Sequence, residues 1–272
     1  MAKDDEINYI KRVSEIDEVS ESDFSQYLLN KPFSDVRCGN YLMDIAQIMM
    51  LLPPPPAKLL DVGVGSGWTS ELFAKQGYEV LGLDISPDMI NLARQRPCRA
   101  RFLVCDYEKG PIPKGFDVAV IYDALHHAER EAAVLQNVFD ALTPTGVLVT
   151  IEPGAGHSAS PESIEAMKKY GTTEKDMPFS YQSTLMRQLG FSATEQFILL
   201  SQLPIVDVSV LDGAMSQVRH GLALTYGAAT GFTSVVLARK GSTDLVVPDQ
   251  DVADQLLRLS IVHDTFIRSL EG

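Results

Sequence analysis

Three histidines and a set of carboxylates stand at the ends of apolar runs. His126 and His127 follow Phe116-Asp117-Val118-Ala119-Val120-Ile121, and His157 follows Val147-Leu148-Val149-Thr150-Ile151. Imidazole titrates closest to neutral pH, so a histidine at such a strand end is a natural general base. Asp61 and Asp84 close two earlier runs, Leu59-Leu60-Asp61-Val62 and Leu81-Gly82-Leu83-Asp84. Between them lies Gly63-Val64-Gly65-Ser66-Gly67-Trp68. Glycines at 63, 65 and 67 let the backbone turn tightly and let a ligand come close to it. An acid at the tip of the second run is placed to accept hydrogen bonds from a ribose diol. These residue types in this order describe a strand–loop–helix–strand unit that holds a nucleotide-like ligand.

The glycine spacing narrows the ligand. A dinucleotide fingerprint reads G-x-G-x-x-G, whereas this loop reads G-x-G-x-G with Trp68 where the third dinucleotide glycine belongs. The chain has no G-x-x-x-x-G-K-[ST], which argues against a phosphate-cradling P-loop.

Positioning these residues requires strands that alternate with helices. The pattern predicts strands near 58–62, 79–84, 100–105, 116–121 and 146–151, with helices starting near Thr69, Pro87 and Glu129. Ser86 and Pro87 form a helix start, with a capping hydroxyl followed by proline in the first turn. Such alternation implies an α/β fold, a doubly wound and mostly parallel sheet with helices on both faces. Ligands of such sheets sit beyond the carboxyl ends of the strands, the edge on which every residue named above falls. Before the first strand, Tyr41, Ile45 and Ile48-Met49 give a helical spacing over 35–52, a helix expected to cross the mouth of the core and stopped by Pro53–Pro56.

The stretch from about Lys58 to Ile151 resembles the core of class I S-adenosylmethionine-dependent methyltransferases. The resemblance rests on five motifs in order: Asp61 to Gly67; Asp84 in Leu-Asp-Ile-Ser-Pro-Asp-Met-Ile; Asp106 in Val104-Cys105-Asp106-Tyr107; the strand at 116–121 with Tyr122-Asp123-Ala124-Leu125-His126-His127; and Leu142-Thr143-Pro144-Thr145-Gly146 before the next strand. The family usually has two glycines where this chain has Thr145-Gly146.

The resemblance implies a seven-stranded sheet whose last strand is antiparallel, with strands near 193–200 and 232–239 as the closing pair. It implies S-adenosyl-L-methionine as cofactor, with S-adenosyl-L-homocysteine as product. The loop Gly63–Gly67 is expected beneath the methionine part, Asp61 near its amino group directly or through water, and Asp84 on the ribose. Asp106 is expected at the adenine amino group, Tyr107 against the ring or offering its backbone, Ile85 as an apolar wall, and Asp123 among the cofactor contacts. His127 is the favoured base, with His126 and His157 as competitors. A second arrangement places a divalent metal, Mg²⁺ or Mn²⁺, on Asp123, His127, Glu152 and His157, since mixed carboxylate and imidazole ligands suit such ions. Trp68, Tyr170, Phe179 and Tyr181 are candidates to line an acceptor pocket. The acceptor is expected to be a small molecule methylated on a hydroxyl of a sugar or secondary metabolite. Nitrogen or carbon transfer, and a non-catalytic cofactor-binding regulator, are the alternatives.

At 272 residues the chain suits one α/β domain with additions. The expected organisation is a helical N-terminal segment or lid over 1–56, a Rossmann-like domain over 57–241 with inserts near 153–181 and 201–231, and a helical tail over 242–272. The first insert is read with a helix at 160–170, a second helix at 183–189 and the other insert with one at 215–226. His220 is a candidate lid residue and His263 a structural one. The amphipathic tail at 252–270 is expected either to pack on its own domain or to form a homodimer contact. A net charge of −13 argues against nucleic acid as partner, because that binding rests on Lys and Arg. The four arginines from Arg94 to Arg101 are read as a solvated face. Cys38, Cys98 and Cys105 lack metal-ligand spacing and read as reduced thiols of a cytoplasmic protein. No signal peptide is expected, and no apolar run reaches the roughly 18 residues of a membrane span.

Overall fold

A computed structural model describes residues 2–197, 199 and 233–241. The N-terminal segment forms α1 (Ala2–Ile7), α2 (Tyr9–Asp17), α3 (Glu21–Leu29) and α4 (Cys38–Leu51). Alternation follows: β1 (Lys58–Val62), α5 (Trp68–Gln76), β2 (Glu79–Asp84), α6 (Pro87–Ala93), β3 (Arg101–Val104), β4 (Phe116–Tyr122), α7 (Glu131–Ala141) and β5 (Leu142–Pro153). The described part ends with α8 (Pro161–Tyr170), α9 (Phe179–Leu189), β6 (Ala193–Phe197) and β7 (Thr233–Arg239). One seven-stranded sheet runs β3-β2-β1-β4-β5-β7-β6. β7 is antiparallel to both neighbours, and the other strands run parallel to one another. The chain order reverses between β1 and β4, which is where such sheets place their ligands.

Strand pleating sorts the core into two layers. Leu59, Val80, Val118, Val120 and Val149 face one layer with Ile48 and Phe73. Leu60, Leu81, Leu83, Ala119, Ile121 and Leu148 face the other with Val134, Leu135 and Met186. Both faces are covered, so the strands read as continuous apolar runs in the sequence.

Local chemistry sets the boundaries. The Ser86 hydroxyl accepts from the Met89 N–H and donates to the Ile7 carbonyl, so the start of α6 is also tied to α1. Ser160 caps α8, which begins at Pro161. α4 begins at Cys38, three residues later than predicted, because the Asp35 carboxylate accepts the Arg37 N–H and the Tyr27 hydroxyl and holds a turn there. β5 begins at Leu142, earlier than predicted; Leu142 pairs with Phe116 across an irregularity in the ladder. α9 starts at Phe179, four residues early. The arginine-rich stretch is no simple solvated face: Arg96 is buried, donating to the Ser66 and Leu28 carbonyls and pairing with Glu71 at 2.8 Å. The expected helix at 215–226, the tail at 252–270, His220 and His263 lie outside the described residues. No helix among the described residues is long and apolar enough to cross a membrane.

Candidate active site

The glycine loop is built from backbone. The N–H groups of Gly63 and Val64 both donate to the Leu83 carbonyl, which locks the turn onto the end of β2. Gly63, Gly65 and Gly67 have φ of 75°, 51° and 78°, the left-handed region that favours glycine. A Cβ on Gly63 would stand 2.3 Å from the Ala124 Cβ, whereas one on Gly65 would meet nothing within 4 Å. Gly63 permits close packing of two strand ends, and Gly65 leaves open space above the loop.

That space belongs to a cavity of about 440 Å³ lined by Gly63, Gly65, Asp84, Ile85, Asp106, Tyr107, Asp123, His126, His127, His157 and Glu174, among others. A smaller neighbour of about 210 Å³ shares Gly63, Gly65 and Asp123 and adds Tyr41, Trp68 and Tyr122. The first cavity thus gathers nearly every predicted cofactor residue. Asp84 accepts the Gly65 N–H at 2.8 Å and the Ser86 N–H at 2.9 Å. Burial raises its pKa to about 6 against the lowering effect of these donors. Asp106 lies at the cavity wall, paired with Lys3 of α1 at 2.7 Å and with Lys109 at 3.2 Å. Burial alone would raise it, but the two lysines hold it below the ordinary carboxylate range. Tyr107 reaches back over the loop, its hydroxyl 3.7 Å from where a Gly63 Cβ would stand.

Asp61 has a different place from the one expected. It lines neither cavity; its Oδ2 accepts the hydroxyls of Thr69 and Ser70 at 2.7 and 2.6 Å. It fixes the junction of loop and α5 from below, and burial raises its pKa to about 6.

The same cavity is lined by the three histidines. His126 and His127 lie on a 3-10 turn, Leu125–His127, directly after β4. Asp123 ahead of it has φ of 53°, a strained conformation for a non-glycine residue, and its N–H is held by the Ile151 carbonyl. Glu152 on β5 caps the turn. Its Oε1 accepts the N–H groups of Ala124 and Leu125, and its Oε2 accepts the His126 N–H and stands 2.7 Å from His126 Nδ1. Burial disfavours the charged imidazole, but Glu152, Asp123 and Glu174 outweigh it and raise the His126 pKa to about 9. His126 therefore keeps its proton at neutral pH. It is a buried cation rather than the base that its position after β4 suggested.

His127 differs. Its Nδ1 lies 2.6 Å from the Thr173 carbonyl. A carbonyl only accepts, so the ring proton sits on Nδ1 and the neutral ring keeps its lone pair on Nε2. Glu6 of α1 lies 3.4 Å from the same Nδ1. His157 follows β5 and points Nε2 at Glu174 Oε2, 2.8 Å away.

The predicted metal quartet is not assembled. Glu152 is fully engaged by three backbone donors and His126, which leaves it no role as a ligand. The groups that converge are His126, His127 and Glu174, whose candidate ligand atoms lie within 4.8 Å of one another. Among the aromatics, Tyr170 lines the larger cavity and Trp68 the smaller one. Phe179 packs on the core and Tyr181 is exposed on the surface, so neither lines the site. Glu6 and Glu174 had no signature in the sequence; each sits in a segment without a motif and is brought in by tertiary packing.

A mostly parallel sheet with a glycine loop, a buried acid at the end of β2 and a cavity at its switch point defines a Rossmann-like domain. Residues 59–146 match the family described as a methyltransferase domain. Malonyl-[acyl-carrier protein] O-methyltransferase of Serratia marcescens is 30% identical over 103 residues, 38% of this chain and 40% of that protein. The Haemonchus contortus phosphoethanolamine N-methyltransferase 2 structure, a complex with S-adenosyl-L-methionine, aligns with a TM-score of 0.58 at 16% identity, over 86% of this chain and 60% of that one. An S-adenosylmethionine-dependent methyltransferase from Mesorhizobium loti aligns with a TM-score of 0.56 at 20% identity, over 72% of this chain and 97% of that one. The aligned segments span less than half the length of the curated relatives. The family match over residues 59–146, with the motifs and the fold around it, supports a class I S-adenosylmethionine-dependent methyltransferase.

Proposed function

We propose that the protein transfers a methyl group from S-adenosyl-L-methionine to the hydroxyl of a small molecule, a sugar or a secondary metabolite. The observation that carries this reading is one cavity that gathers two chemically distinct sets of residues. One set is Gly63, Gly65, Asp84, Asp106 and Tyr107, and the other includes His127, whose Nδ1 is bound to the Thr173 carbonyl so that Nε2 keeps the lone pair of the neutral ring. The residues fit the cofactor. The loop leaves open space above Gly65 where a side chain would stand, and Asp84 lines the cavity from the end of β2. When bound, the cofactor supplies a methyl group activated by positive sulfur.

This chain's residues would do the rest. Asp84 holds the ribose hydroxyls, and Ile85 and Tyr107 flank the base. Asp106 takes the adenine amino group once Lys3 yields its place. His127 Nε2 takes the proton from the acceptor hydroxyl while Thr173 fixes the ring through Nδ1. A positioned base of this kind typically contributes ~10²–10⁴-fold, and alignment of the reactants up to about 7–11 kcal/mol. The same cofactor residues would serve a nitrogen or carbon acceptor. A homodimer and a cytoplasmic location belong to the same proposal.

The test is transfer of labelled methyl to a panel of sugars, glycosides and phenols, with Mg²⁺ and with EDTA. Product that survives EDTA supports the histidine base. Product that vanishes in EDTA overturns it in favour of an ion at His126, His127 and Glu174. Tight cofactor binding with no product on any acceptor supports a non-catalytic regulator instead.

A further inference from the structure

Residues 172–177 follow α8 with no sequence motif, yet Thr173, Lys175, Asp176 and Met177 tie the segment to different surrounding elements. The Thr173 carbonyl accepts His127 Nδ1, and its N–H donates to Glu6 of α1. Lys175 donates to the Ala128 carbonyl at 2.7 Å and to Glu131 at 2.6 Å, at the start of α7. Asp176 accepts the N–H groups of Gly156 and Ser158. The Met177 N–H donates to the Pro153 carbonyl at the end of β5. Glu174, in the middle, turns inward. Its Oε2 takes His157 Nε2 at 2.8 Å and lies 3.5 Å from His126 Nε2, and its Oε1 accepts the Thr172 hydroxyl and lies 3.8 Å from His127 Nδ1. The side chain is 9% exposed.

From this geometry we infer that Glu174 is the positioning residue of the active site, holding His126, His127 and His157 in one arrangement around the acceptor. The assignment to catalysis rests on the methyltransferase reading above; the assignment as positioning residue rests on the contacts alone. One carboxylate that hydrogen-bonds His157 and stands 3.5 and 3.8 Å from nitrogens of His126 and His127 sets a charge at the centre of the three imidazoles. His126 has Glu152 on one nitrogen and Glu174 beyond the other, which closes off its ring on both sides. His157 donates its Nε2 proton to Glu174, so its other nitrogen is left as the acceptor. His127 is held by Thr173, the residue next to Glu174, so a displacement of the segment would move the proposed base. The neighbours' backbone and side-chain bonds keep the segment in place when only the Glu174 charge is removed, which makes the role separable from folding.

The experiment compares wild type with Glu174→Gln and Glu174→Asp. Nitrogen-15 spectra of the imidazoles, assigned with single histidine variants, report tautomer and titration without any acceptor. In Glu174→Gln the His157 ring should lose its single Nε2–H tautomer, and the His126 midpoint should fall by about one pH unit or more, as expected for loss of a nearby opposite charge. Glu174→Asp should restore part of both. Turnover in Glu174→Gln should fall at least ~10-fold with the KM for S-adenosylmethionine unchanged, the pattern of lost orientation rather than lost binding. Imidazole spectra and titrations unchanged in a folded Glu174→Gln protein would overturn the inference, as would an equal loss in Glu174→Asp. Failure of the wild type to bind S-adenosylmethionine in calorimetry strikes the methyltransferase reading instead, and the spectra still decide whether Glu174 positions the histidines.

Discussion

Glu152 and His126 form a buried pair, Oε2 to Nδ1 at 2.7 Å, in which the carboxylate also accepts three backbone N–H groups of the following turn. The pair couples the end of β5 to the turn after β4, whose Asp123 and His126 line the cavity. Its protonation state is a folding quantity. The folded pKa of His126 is about 9, above the ordinary 6.5. A raised histidine pKa adds stability that is fully present below pH 6.5 and is lost as pH rises through 9. The size is on the order of 3 kcal/mol for a shift of this kind. Denaturant unfolding from pH 6 to 10 should therefore show a falling free energy across that window. In His126→Asn the slope should be largely gone; an identical slope in the variant would assign it to another group.

Asp84 gives a slope of the same sign in a lower window. Its folded pKa is about 6, raised from the ordinary 3.8 by burial. The folded protein binds the extra proton between those values, so this group lowers stability as pH rises through that window. Cofactor binding runs the other way, because a ribose diol donates to an ionised carboxylate. Affinity for S-adenosylmethionine should be constant above pH 7 and weaken below 6, approaching tenfold per pH unit if one proton must be released. Calorimetry at pH 5 to 8 checks this. Asp84→Ala should weaken binding severely at every pH; unchanged affinity would remove the ribose assignment.

Much of this was legible in the sequence because parallel strands covered on both faces must be apolar throughout. β1, β2 and β4 were predicted to within a residue for that reason, and the carboxyl ends of β2, β3 and β4 placed Asp84, Asp106 and the histidine pair on one edge. Helix starts were legible where a capping hydroxyl preceded proline, as at Ser86-Pro87 and Ser160-Pro161. The start of β5 was not: Thr143-Pro144-Thr145-Gly146 has turn composition, yet Leu142 still pairs with Phe116. Nor was the hydrogen bonding of the site. Strand ends reveal which residues reach the edge but not which of them face each other. Asp61 turns down to Thr69 and Ser70, Glu152 is consumed by backbone donors, and Glu174 arrives from a segment 47 residues after His127 whose place depends on α1, β5 and α7 together.

The two loop glycines should separate folding from binding. Gly63→Ala combines a φ of 75° with a clash against Ala124 at 2.3 Å, both backbone and packing penalties. Its cost should be about 2–5 kcal/mol, from roughly 1–2 for the left-handed residue and 1–3 for overpacking. Gly65→Ala has only the first penalty, since its Cβ meets nothing within 4 Å. It should unfold only a few degrees below wild type. Its methyl group stands in the cavity, so cofactor affinity should fall more than stability does. Thermal unfolding and calorimetry on both variants decide the matter; equal destabilisation, with equal affinity, would show that the space above Gly65 is not the cofactor's.

His127→Ala tests the base. Thr173 anchors the ring through Nδ1. Removal of the imidazole should leave affinity for S-adenosylmethionine within about twofold of wild type while turnover falls by ~10²–10⁴, the usual contribution of a positioned base. The loss should appear in kcat rather than in the KM for the cofactor, because proton removal is felt only in the transition state. His126→Ala should behave differently. It strands the Glu152 carboxylate without its buried cation, so stability should fall together with activity. His127→Ala with full turnover would exclude that residue as base and leave His157, already held by Glu174, as the nitrogen to test next.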